Sequence, residues 1–149
     1  MATILLSVDG IPRPQPRPRF YKGRVISTAD ANARRWINLI ESAARVALDA
    51  AGKVEGPIAV ALHFAFPTKD KTRWGKPHTA RPDADNLAKL VLDAVMRAGL
   101  IGDDSGVARL VIVKAWASSG GLEAAFGTVE GKATPDPSKD PLEHPRWLN

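Results

Sequence analysis

Ile58, Val60, Leu62, Phe64 and Phe66 hold every second position of one segment, with Ala59, Ala61, His63 and Ala65 between them. A period of two predicts a strand, because successive side chains leave opposite faces. One face is large and apolar. The other is small and suits close packing against a helix or another chain. Ala33, Trp36, Ile37, Ile40, Ala44, Ala47, Leu48 and Ala51 recur at helical spacing, with Thr28 or Asp30 as the cap and Gly52 as the stop. A second helical stripe, Leu87, Leu90, Val91, Ala94, Val95 and Ala98, predicts a helix over about 85–98 closed by Gly99. Residues 3–8 read as a first strand ending at the turn Asp9-Gly10. Residues 21–27 read as a short strand broken by Gly23. Residues 107–116 and 122–129 read as strands joined by Ser118-Ser119-Gly120-Gly121.

Between these elements lie three irregular stretches. Pro12, Pro14, Pro16 and Pro18 forbid a helix and predict an extended arm. Residues 67–82 form a long polar loop, and residues 131–149 a tail rich in proline and charge. The predicted fold is α/β in content and α+β in arrangement. It has a small mixed sheet of about four to five strands, two main helices packed on it, and the order β-β-α-β-α-β-β. Residues 1–130 make one domain and 131–149 its tail.

Composition narrows the chemistry. The chain of 149 residues has 21 Lys+Arg against 16 Asp+Glu, a formal charge of +5. That excess favours an anionic partner, nucleic acid first and an anionic membrane surface second. Without cysteine there are no disulfides, thiolate metal sites or cysteine nucleophiles. Three histidines in no metal-binding spacing argue against an imidazole site. No apolar run approaches the roughly 20 residues of a membrane span. The start has no basic region or cleavage site, so the expected location is cytoplasmic.

Against this basic background, residues 76–107 hold five aspartates: Asp83, Asp85, Asp93, Asp103 and Asp104. In an extended segment the carboxylates of Asp83 and Asp85 lie on one face roughly 6–7 Å apart, placed to share hard cations. A helix cap at Asp85, worth about 1 kcal/mol, explains one aspartate and not both. Lys89 follows Asp85 by one helical turn. Helix side chains tilt toward the N-terminus, so its ammonium can reach the acids and hold a phosphate oxygen or the leaving group. The plainer reading is an i,i+4 pair worth about 0.2–0.5 kcal/mol. Asp93 continues the row toward Arg97 and reads as part of a solvated face. Asp103 and Asp104 come just before the next strand. Neighbours in extended chain point apart, so one of the two is expected to complete a metal site.

The run Pro82-Asp83-Ala84-Asp85-Asn86-Leu87-Ala88-Lys89, then Asp93-Ala94 to Ala98-Gly99, then Asp103-Asp104, resembles the RusA-type Holliday-junction resolvases. The lead-in Lys76-Pro77-His78 and the arginine-proline arm are similar too. The resemblance covers roughly residues 3–129 and is sharp over 76–107. It implies a Mg²⁺-dependent homodimeric endonuclease that nicks four-way DNA junctions. By position, the metal-binding aspartates fall on Asp83, Asp85 and Asp104, with Asp103 as the second choice within its pair, and the essential lysine on Lys89.

Mg²⁺ is therefore the expected cofactor, with Mn²⁺ as its substitute and no small-molecule cofactor. Branched DNA and a second copy of the chain are the expected partners, with no membrane. Two basic segments are candidates for holding DNA. Arg13, Arg17 and Arg19, with Lys22 and Arg24 beyond them, lie on or near the arm. Lys69, Lys71, Arg73, Trp74, Lys76 and Arg81 lie in the long loop, where Trp74 either stacks on an unpaired base or anchors the loop. His78 reads as structural, and His63 as core or dimer interface. Two other readings stay open: a Mg²⁺ nuclease acting on flaps or single strands, and a non-catalytic basic DNA-binding module.

Overall fold

The large-residue face of β4 (Ile58–Pro67) is the middle of the core, with Ile58, Val60, Leu62, Phe64 and Phe66 all buried. A computed structural model describes residues 3–26 and 29–129. Thr28, one of the two expected caps, and the tail 131–149 lie outside the described residues. Three strands join β4: β1 (Ile4–Asp9), β5 (Val107–Ala117) and β6 (Gly121–Thr128), in the order β1-β6-β4-β5. β5 runs parallel to β4, while β6 runs antiparallel to both β4 and β1. The fold is thus a mixed α+β arrangement on a four-stranded mixed sheet.

Parallel neighbours need a crossover, and the helix α2 (Ala84–Ala98) supplies it between β4 and β5. Its apolar stripe and that of α1 (Ala31–Ala51) cover the large-residue face together. Asp30 caps α1, accepting a 2.8 Å hydrogen bond from the Ala33 amide. Gly99, in the left-handed region at φ 86°, closes α2. On the opposite face, Ala59, Ala61 and Ala125 form a small cluster with Val111 and Val129 and no helix residue. His63 lies on that face, its Nε2 buried without a hydrogen-bond partner. No described helix is long and apolar enough to cross a membrane.

β5 and β6 are consecutive in sequence yet do not pair. Their connection hops across the end of β4, which lies between them. A side chain at Gly120 would stand 2.5 Å from the Gly10 carbonyl oxygen and 3.2 Å from Pro67, and one at Gly121 would stand 2.9 Å from the Val8 oxygen. Only glycine fits a crossing this close to the backbone of β1.

The short strand expected over 21–27 is instead a hairpin of two strands, β2 (Arg19–Tyr21) and β3 (Arg24–Ile26). Gly23 does not break a strand. Lys22 and Gly23, at φ 47° and 75°, form a two-residue turn with both residues left-handed, the kind that suits the twist of a hairpin.

The polar loop 67–82 is more ordered than its composition suggests. Gly75 and His78 donate backbone hydrogen bonds to Trp116 and Lys114, and Trp116 donates to Lys76, so the loop shields the outer edge of β5. His78 is structural, as expected: buried, stacked on Phe66 at 3.9 Å and tilted against Trp116 at 4.4 Å.

Candidate active site

The chain enters α2 through Asp83. Its backbone is extended there (φ −70°, ψ 145°) and holds the N-cap position, which the sequence had suggested for Asp85. Yet the Asp83 side chain makes no capping hydrogen bond, so its carboxylate is left for other work. Asp85 is instead inside the first turn, its Oδ1 accepting from the Asn86 amide at 2.9 Å. Both carboxylates are exposed, at a helix end whose partial positive charge favours anions.

One turn further, Lys89 does not reach back to Asp83 and Asp85 as the spacing predicts, but pairs with Asp93 one turn toward the C-terminus. Its Nζ donates to Asp93 Oδ1 at 3.2 Å and stands 3.9 Å from Asp104 Oδ2. The strand that follows α2 therefore does return its leading acid to the face of Lys89. Asp103 and Asp104 have separate roles because they begin a single 3-10 turn. Asp103 caps it, Oδ1 accepting from the Ser105 amide at 3.0 Å. That amide, followed by a hydrogen bond involving the Asp104 side chain, holds the Asp103 carboxyl below the usual carboxylate range. Asp104 is left facing Lys89, and its amide is turned toward Met96 Sδ on α2 at 3.1 Å.

Asp93 corrects the sequence reading. It is not on a solvated face, for its side chain is only 17% exposed. The proline arm covers it: Gln15 donates its Nε2 to Asp93 Oδ2 at 3.0 Å and its backbone amide to the Asn86 carbonyl at 3.0 Å. Asp93 thus fixes Lys89 with one oxygen and the arm with the other. Gln15 went unnoticed in the sequence, where its one signal is being the only uncharged polar residue in an arm of prolines and arginines.

Beside Asp83 lies an open cleft of about 530 Å³ lined by Pro14, Gln15, Arg17, Arg81, Pro82 and Asn86. Two expected DNA contacts, Arg17 and Arg81, are thereby brought to the first aspartate. Arg13 lines a separate hollow with Asn32 and Arg35. Arg19 is on the hairpin. Lys69, Lys71, Arg73, Trp74 and Lys76 ride the loop along β5. There the Trp74 Nε1 donates to the Thr68 carbonyl at 2.9 Å, which anchors the loop, while the ring stays 42% exposed.

A hard divalent cation asks for several carboxylate or carbonyl oxygens. The donor chemistry here is suitable: Asp83, Asp85 and Asp104 offer carboxylates, and the first is spared by its helix. Among the described residues, however, no three such groups stand close enough to share one ion. What the fold gathers directly is Lys89 with Asp93 and Asp104, while Asp83 and Asp85 flank the helix start.

The family model described as Endodeoxyribonuclease RusA matches residues 9–125, a span that includes the arm, Asp83, Asp85, Lys89 and the Asp103-Asp104 pair. A protein named crossover junction endodeoxyribonuclease rusA, from Lactococcus phage r1t, is 35% identical over 51 residues. That stretch is 34% of this chain and 39% of the phage protein, so the match spans about two-fifths of the relative's length. A family match over most of the chain settles the relationship: the chain belongs to the endodeoxyribonuclease RusA family.

Proposed function

We propose that this chain is a Mg²⁺-dependent endonuclease that nicks four-way DNA junctions as a symmetric homodimer, Mn²⁺ being able to replace Mg²⁺. The observation that carries the reading is Lys89, held toward Asp104 by Asp93 and one helical turn after Asp85. Asp83, Asp85 and Asp104 would be the metal ligands, drawn together by the cation rather than preassembled, since no three described carboxylates converge without it. When bound, it would make the attacking water more acidic and offset charge on the phosphate.

The protein's own groups do the rest. Lys89 donates to a phosphate oxygen or to the departing oxygen, and Asp93 keeps its ammonium aimed. Arg17 and Arg81 pair with phosphates on either side of the scissile one, which positions the strand without reading its sequence. A junction has near two-fold symmetry, and a symmetric dimer offers one site to each of two strands.

The test is cleavage of a four-way junction, a flap and plain duplex, with and without Mg²⁺. Paired nicks in the junction alone, lost in Asp83→Asn with binding kept, are expected. Preference for the flap would make the chain a flap nuclease. Tight binding without nicking in any metal would make it a DNA-binding module.

A further inference from the structure

The hairpin of β2 and β3 is the most apolar exposed feature of the described chain. Phe20 is 81% exposed, Val25 64%, Tyr21 61% and Ile26 45%. A two-stranded hairpin in water is marginally stable, and four such side chains on so short a segment mark a contact surface. The pairing register sorts them. Phe20 is opposite Val25 on one face, while Arg19 with Ile26 and Tyr21 with Arg24 make up the other. The result is an apolar knob backed by cations.

Charge selects the partner. Residues 10–27 carry Arg13, Arg17, Arg19, Lys22 and Arg24 and no acid. In a symmetric dimer the second copy's hairpin carries the same cations, so two hairpins are a poor electrostatic match for each other. DNA supplies both an anionic backbone and, where a helix branches, base faces free to stack on an aromatic ring. Lys22 Nζ lies 5.4 Å from the centre of the Tyr21 ring, which leaves Phe20 as the uncovered aromatic face. Phe20 follows Arg17 by three residues, at most about 10 Å of chain. A base stacked on Phe20 therefore has its sugar-phosphate within reach of the cleft beside Asp83.

We infer that this hairpin is a branch-point wedge: Phe20 stacks on a base opened at the junction crossover while Arg19, Lys22 and Arg24 pair with the phosphates around it. The inference rests on the junction reading above and assigns the hairpin's part in it.

The test is binding in EDTA to a junction carrying 2-aminopurine at the crossover, read beside the matching plain duplex. The unmodified chain should raise the 2-aminopurine fluorescence of the junction. Phe20→Ala should abolish that rise and weaken junction binding about tenfold, the scale of one lost base stack, with duplex binding changed less than about twofold. Phe20→Trp should restore both. The ring is outside the core, so the variants' circular dichroism should match the unmodified chain. Unchanged fluorescence and affinity in Phe20→Ala, with junction cleavage intact, would overturn the wedge alone. A shift of Phe20→Ala from dimer to monomer in sedimentation would also overturn it and reassign the hairpin to a protein contact. Failure of the unmodified chain to bind junctions would remove both readings.

Discussion

Two helices of this protein begin at an aspartate, and the two aspartates are used differently. Asp30 spends its carboxylate on the Ala33 amide and stabilises α1. Asp83 has the same cap position at α2, with the same extended backbone, and makes no such bond. A cap is worth about 1 kcal/mol, so α2 forgoes a readily available stabilisation and gains a carboxylate facing a basic cleft. The adjacent pair repeats the contrast: Asp103 caps a turn and Asp104 faces Lys89. In this fold Asp30 and Asp103 close turns, while Asp83 and Asp104, which leave theirs open, are the ones the proposed function assigns to the metal.

The largest expected effects test that division at the site. Asp83→Asn should lower junction cleavage by about 100-fold or more, as expected on losing a metal-binding carboxylate, with the melting temperature nearly unchanged because no capping bond is lost. Asp104→Asn should be as severe in a single-turnover assay. Asp103→Asn should keep most cleavage, since asparagine also caps; equal losses at the two positions would end the contrast. Asp93→Asn should cost about tenfold in rate, the usual scale for a group that orients another, with junction affinity kept. Asp30→Ala should do the reverse: a loss of about 1 kcal/mol and a melting temperature lower by about 3 °C in calorimetry, with cleavage per folded molecule unchanged.

The smallest effect concerns pH. Burial, followed by the nearby Lys114, pushes His78 below its ordinary value of 6.5. The folded state thus favours the neutral ring, and its contribution is fully present above 6.5 and is lost as pH falls below it. Stability measured by urea denaturation should therefore decline below about pH 6.5. His78→Phe, which keeps the stack on Phe66, should flatten part of that decline. His63, lowered chiefly by burial, contributes in the same direction.

Local periodicity made both helices and all four strands of the main sheet legible, because each pattern reports which face of its own element is buried. Spacing gathered the acids in the sequence but aimed Lys89 back at Asp83 and Asp85, whereas it pairs with Asp93 and faces Asp104. Features set by distant partners were not legible. Asp93 reads as solvated until Gln15, 78 positions away, covers it. The hairpin was hidden because Lys22-Gly23 lacks the asparagine or aspartate that usually announces such a turn. The separation of β5 from β6 was hidden because a four-residue link between strands ordinarily means that they pair.

That separation has a consequence for synthesis. β6 is the only strand of the sheet that β1 pairs with, and it lies between β1 and β4. Until residues 121–128 have been made, the first strand has no strand to pair with and only α1 to pack against. The proline arm that follows it then lacks the hydrogen-bonded root from which it reaches α2. A truncated chain ending before β6 would hold every acidic residue of the candidate site yet lack the strand that seats the arm, so under the proposed function it should cleave junctions poorly.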